Sequence, residues 1–362
     1  MHHTLLSRNL IFTLFLLGAM GACKDQQTSS ADFDRAAMLT IYADQLIIPA
    51  FTDLQLKVNA LQTRWTAFES NLDTLSLKQV QNAWEAAYLS WQNANAYNFG
   101  PAGEAGLSKS LVEEIGVFPS NVTRIEEYIS SNDFTLNNAN RDTRGFLALD
   151  YLLYFQSDKL RNDATRRAYT GAVIQHLKNR IDQVVSGWST YRAAFLASTG
   201  TEAGGSTSLL YNEFVRSYES IKNYKIGLPA GKRPGQTMPE PTLVEAYYSG
   251  LSLKALQAHL NAIKAIYNGQ VGLGVVHPGF KSYVNSAVGG PALVTATEAQ
   301  WLQVKIALSL VSSSQPLSQL MQAGDLNVDA LHTELQKQTR FFKSDMSSLL
   351  GIAVTFSSGD GD

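Results

Sequence analysis

The chain has 362 residues, of which 45% are hydrophobic, 10% aromatic and 17% charged. Its 29 basic and 31 acidic side chains leave a net charge of −2, which excludes a general polyanion binder, because nucleic-acid proteins carry a clear basic excess. The aromatic content and low net charge exclude a disordered chain, and the length suits about two domains.

Residues 1–22 read as a bacterial lipoprotein signal. His2, His3 and Arg8 precede an apolar run, LIFTLFLL at residues 10–17, that is too short for a membrane-spanning helix, which needs about 20 apolar residues. Small residues follow, and Met20-Gly21-Ala22 leads directly to Cys23, the sole cysteine of the chain. This is a lipobox-like end, so the Cys23 thiol is expected to be acylated and to become the mature N-terminus. The alternative is a chance cysteine beside an ordinary cleavage site. With Cys23 committed, neither a disulfide nor a thiolate metal site is available to the mature chain. The polar residues after it make 23–32 a tether.

From there the pattern is helical. Leu54, Val58, Leu61, Trp65 and Phe68 share one helix face, with Pro49 predicting a kink or break just before it. Ser76 with Gln79 has the spacing of a capping box, ahead of a second stripe of Val80, Trp84, Ala87 and Trp91. A long helix carries Val173, Leu177, Ile181, Val184, Trp188 and Phe195. Residues 199–208 (TGTEAGGSTS) read as a linker, and Leu210, Phe214, Tyr218 and Ile221 mark the next helix. Three Gly and four Pro within 227–241 forbid a regular element. Ser252 is placed to cap a stripe of Leu256, Leu260, Ile263 and Tyr267. The last helices are expected at about 295–321 and 327–346, and strand signals are nearly absent. The fold class is therefore all-α, two tandem helical bundles with a cleft between them. The expected boundaries are 33–200 for the first bundle, 201–207 for the linker and 208–362 for the second.

The apolar stretch at 146–155, FLALDYLLYF, holds one carboxylate, Asp150. Such an acid is costly to bury unless paired or hydrogen-bonded. It is either a satisfied structural group or a carboxylate facing a cleft, as ligand or proton acceptor. His176, His259, His277 and His332 are scattered, with no two at i, i+3 or i, i+4, and His176 and His259, each one place before a core stripe, read as helix-edge residues before they read as metal ligands. Trp84, Tyr88 and Trp91 read first as core.

Several segments together resemble the imelysin family of bacterial envelope proteins, over nearly the whole mature chain. They are Trp84 and Trp91 running into Phe99-Gly100-Pro101, then Phe118-Pro119 with Ile125 and Tyr128. Further on come Pro241 with Glu245, Tyr248, Ser249 and Ser252, and finally Lys343, Asp345-Met346, Leu350-Gly351, Thr355-Phe356 and Asp360-Gly361-Asp362. The resemblance implies two bundle-like domains with a site between them, an envelope location and an association with iron or haem acquisition. The family's hallmark, G-x-H-x-x-E, puts His and Glu on one helix face within reach of one metal ion. Here its positions hold Gly145, Leu147 and Asp150. Leucine has no lone pair, so peptidase chemistry is doubted and Asp150 stays a weak metal candidate. The ligand-binding cleft is expected to draw on Gly145, Leu147, Asp150, Trp84, Trp91, Glu245, Tyr248, Ser249 and Ser252.

The expected function is an outer-membrane lipoprotein that binds without catalysing, in uptake of iron or haem. The expected partners are the membrane through Cys23 and an iron-uptake membrane protein, with no nucleic acid and the chain a monomer. The alternatives are a structural or partner-docking lipoprotein with a decayed site and, below it, a metallopeptidase.

Overall fold

The structure is a computed structural model and describes residues 33–356 other than 137–138 and 273. The signal segment, Cys23 with its tether, and Asp360-Gly361-Asp362 lie outside the described residues.

The helices are α1 (Arg35–Ile41), α2 (Ile48–Asn71), α3 (Thr74–Ala94), α4 (Leu111–Ile115), α5 (Val122–Ser130), α6 (Phe146–Tyr154), α7 (Lys159–Asn162) and α8 (Ala164–Ala197). They continue with α9 (Ser206–Ser220), α10 (Ser252–Asn268), α11 (Phe280–Ser286), α12 (Gly290–Leu310), α13 (Leu317–Gln322), α14 (Leu326–Arg340) and α15 (Met346–Leu350). Among the described residues the regular structure is helical but for one two-residue antiparallel ladder, β1 (Gln270–Val271) with β2 (Val275–Val276). Among the described residues no helix is long and apolar enough to cross a membrane.

In the first half, α2 packs on α3 and α8. The stripe from Leu54 to Phe68 faces inward and is buried throughout, as is the α8 row from Val173 to Trp188. In the second half α12 packs on α14, while α10 reaches back onto α3. One apolar cluster therefore runs through both groups of helices. Burying side chains of this size contributes roughly 1.5–3 kcal/mol each.

Local chemistry moved several boundaries. Pro49 neither breaks nor ends its helix. A π-helical segment, Tyr42–Ile47, lies immediately before it and widens the turn, which accommodates the missing N–H and the ring clash. The cap of α3 is Asp73, whose side chain accepts the Ser76 amide N–H at 2.6 Å. Ser76 is thus the recipient of a cap and not the cap itself. Ser252 is the first residue of α10, and its hydroxyl donates back to the Glu245 carbonyl. α9 already starts at Ser206, inside the expected linker. The helix expected over 295–321 ends at Leu310, and Pro316 sets the start of α13. Beyond 340 the chain winds through another π-helical segment, Phe341–Asp345, before α15.

Candidate functional site

α6 begins at a backbone corner. Gly145 has φ +82°, and a Cβ there would stand 2.4 Å from the Ile115 carbonyl oxygen. Glycine is therefore required by the turn itself. From that corner α6 is pinned to α3, because the Trp84 indole N–H donates to the Phe146 carbonyl at 3.1 Å and the Gln81 amide to the Leu153 carbonyl at 2.7 Å.

Asp150 lies one turn into α6 and is 1% exposed. Its two carboxylate oxygens accept the backbone N–H groups of Tyr248 at 2.9 Å and Ser249 at 3.0 Å. Burial pushes its pKa up to about 6, against the pull of those donors and with the nearby Glu245 charge adding to the rise. Together with the Ser252 hydroxyl on the Glu245 carbonyl, these bonds fix the loop between Val244 and Gly250. Two residues of that loop, Ala246 and Gly250, have positive φ. Asp150, Leu147 and Tyr248 line a small pocket of about 230 Å³ with Phe118, Pro119 and Thr242.

The loop presents the Glu245 side chain elsewhere, into a cleft of about 1340 Å³ that takes residues from both halves of the chain. Glu245 Oε2 lies 2.8 Å from Lys225 Nζ, and the same ammonium donates to Gln92 Oε1 at 2.7 Å. All three groups are buried. Lys225 sits in a π-helical segment, Ile221–Gly227, that continues α9. Burial lowers its pKa while Glu245 holds it up. Beyond it, Ser217 Oγ and His259 Nε2 are 2.7 Å apart. Burial, then the Lys225 charge, drive the His259 pKa well below 6.5, so the ring is neutral. No carboxylate orients its Nδ1, which has no hydrogen-bond partner, so Ser217 and His259 lack the third member of a nucleophilic triad.

On the opposite wall Glu114 is a buried hub. Its Oε2 is 3.1 Å from Arg144 Nη2, 3.3 Å from His176 Nε2 and 3.4 Å from Arg180 Nε. Burial works against this carboxylate, yet His176, Arg144 and Arg180 outweigh it and hold its pKa below the ordinary value. Glu213 is different. Burial raises its pKa to about 7, and the 3.1 Å contact with the exposed Arg216 offsets this only in part. Trp91, Tyr224 and Phe356 add aromatic surface to the cleft.

The residues expected to share one cleft are therefore divided. Trp91 and Glu245 line the large cleft, whereas Leu147, Asp150 and Tyr248 line the small pocket. Gly145, Trp84, Ser249 and Ser252 line neither and act as framework. Asp150 lines the small pocket, which also takes residues from both halves, and not the large cleft, and the Tyr248 and Ser249 amides hold its carboxylate there. As a metal candidate it is already occupied by those amides. Among the described residues no three His, Cys, Asp or Glu side chains converge on one point. Glu114, Glu213, Lys225 and Arg144 were missed. Each has charged neighbours in sequence, Glu113 beside Glu114, Arg216 near Glu213, Lys222 near Lys225 and Arg141-Asp142 near Arg144, a pattern that usually means a solvated face.

The fold has solved counterparts. The iron-regulated protein A precursor of Parabacteroides distasonis superposes with a TM-score of 0.73 at 16% identity, covering 87% of this chain and 95% of that one. An imelysin-like protein from Psychrobacter arcticum gives 0.72 at 20% identity, over 91% and 98%. Iron-regulated protein A of Synechococcus elongatus is 20% identical over 249 residues, spanning 65% of this chain and 64% of that relative's length. The imelysin (peptidase M75) family model matches residues 47–341. On the strength of that match the chain belongs to the imelysin family.

Proposed function

We propose that this chain is a lipoprotein of the outer membrane, anchored through Cys23, that binds an iron-bearing organic ligand such as haem in its large cleft without cleaving it. The observation that carries the reading is the division of labour around α6. Both oxygens of Asp150 hold backbone amides of the Tyr248–Ser249 turn, and Leu147 supplies no donor at the hallmark histidine position. A hydrolytic metal needs three protein ligands and an open position, and the hallmark positions offer no free one. The cleft, by contrast, exceeds the roughly 300–1,000 Å³ of ordinary ligand pockets and combines aromatic faces with paired charges. It suits a large ligand that brings its own iron, with flat apolar rings and carboxylate edges. The two relatives named iron-regulated protein A support the iron association.

The test is thermal unfolding of the purified mature protein with haem, a ferric chelate or a simple iron salt. A ligand that binds the folded state raises the melting temperature by mass action, and haem or the chelate is expected to do so where the salt does not. No shift with either, joined to chelator-sensitive hydrolysis of a denatured protein substrate, would reverse the reading in favour of a peptidase.

A further inference from the structure

We propose that the β1–β2 hairpin and α11 form a face that rests on the lipid surface beside the anchor. This rests on the Cys23 anchor proposed above, and it adds which side of the molecule meets the bilayer.

Four observations converge. Val275 and Val276 in the hairpin are 55% and 60% exposed, and Val288, just after α11, is 72% exposed. These exposed aliphatic side chains lie within five residues before and two residues after one seven-residue helix, about 10 Å long, and give a bilayer interface apolar groups to bury. Second, the described chain begins at this face. The Phe33 ring stacks on Tyr283 of α11 at 4.8 Å, and Arg35 Nη1 donates to the Tyr283 hydroxyl at 3.2 Å. Third, the nine residues 24–32 separate Cys23 from Phe33, so acyl chains on Cys23 lie at most about 35 Å from this point even with the tether fully extended. Such a short link keeps the adjacent face at a high effective concentration near the bilayer, and weak contacts then suffice.

The fourth observation is charge. Between Lys254 and Glu298 the sequence has no acidic residue, and its charged side chains are Lys264 and Lys281. Both lysines share the single Glu298 carboxylate, at 2.6 and 2.9 Å, and Lys305 adds its field to that of Lys264. An apolar tip flanked by an excess of ammonium groups matches a bilayer interface carrying anionic headgroups.

The experiment uses a single thiol probe, since acylated Cys23 leaves no other cysteine. Val276→Cys carries an environment-sensitive dye, and Leu75→Cys serves as control. Leu75 is 70% exposed and lies beyond the far end of the 24-residue α2. On vesicles of phosphatidylethanolamine with phosphatidylglycerol, the Val276→Cys dye is expected to shift to the blue and to be quenched by a lipid-borne quencher, while the Leu75→Cys dye stays water-like. Val275→Glu with Val276→Glu, both on exposed positions, should weaken vesicle partition of the protein roughly tenfold. The mass of the N-terminal peptide reports acylation separately. An acylated protein whose Val276→Cys dye remains in water overturns the proposed face and leaves the anchor standing. An N-terminal peptide without acyl chains overturns the anchor, and the face is then read with the Val276→Cys dye on a Cys23→Ser background, where quenching supports it and a dye in water overturns it. Equal quenching at Leu75→Cys, or partition unchanged by the two glutamates, also overturns the proposal.

Discussion

At the level of single residues, Asp150 works as a clamp on backbone. An Asn at this position keeps one acceptor but turns its amide group toward the second backbone N–H, so one bond is lost and two donors face each other. Asp150→Asn should therefore destabilise the protein by about 1–3 kcal/mol, measured by urea unfolding near neutral pH. Its pH signature has a definite sign. The carboxyl pKa rises from 3.8 to about 6 on folding, so between those values the folded state holds the proton more tightly than the unfolded one. Stability then falls as pH rises through that window, and the loss is complete above about pH 6. The Asn variant should lack this component, which a comparison of the two unfolding profiles isolates. Asp150 was conspicuous in the sequence as one charge inside an apolar run. Tyr248 and Ser249 were expected beside it through the family resemblance, but not as backbone donors 98 and 99 residues away, because an amide there leaves no mark on the side-chain pattern. Gly145 had an equally hidden reason. Gly145→Ala sets a Cβ against the Ile115 carbonyl at positive φ, and should cost about 1–3 kcal/mol. A midpoint shift in the same urea assay checks it, with unchanged helix content by circular dichroism.

Helical elements were legible wherever an apolar face repeats over several turns, as along α2, α3, α8 and α10. Their ends were less so. Asp73 and Ser76 are both good capping residues three apart, and only the geometry decides which one accepts the amide. The wide turns were not legible at all, since a π-helical segment has no composition of its own. They matter nonetheless. The Ile221–Gly227 turn extends α9 and carries Lys225 into contact with Glu245 and Gln92. Removing one member of such a buried ion pair strands the other charge and costs about 3–5 kcal/mol, far more than the net worth of the pair. Lys225→Met should show that loss, and adding Glu245→Gln should recover much of it. A double-mutant cycle in denaturant measures the coupling. Equal and additive losses would mean that the two side chains act independently, against the geometry described here.

Across the whole molecule, the periodic signal that built the helices carried no information about the cleft. Its charged groups come from separate elements, among them Glu113 and Glu114 from α4, Glu213, Arg216 and Glu219 from α9, Lys225 from the wide turn and Glu245 from the loop ahead of α10, and only the packing of the two halves brings them together. Glu213 has the most consequence for binding. Its pKa of about 7 means that the cleft gains a negative charge as pH rises through neutrality. A ligand with carboxylate edges should meet a neutral Glu213 below that value and a repelling carboxylate above it. Haem binding is therefore expected to weaken as pH rises from about 6 to about 8, by up to tenfold for a coupling near 1.4 kcal/mol. Glu213→Gln should bind as the protonated wild type does at either pH and flatten the profile. Titration followed by haem absorbance or tryptophan quenching at the two pH values provides the measurement. A wild-type profile that the Gln variant reproduces without change would assign the pH dependence to another group and remove Glu213 from the ligand's path.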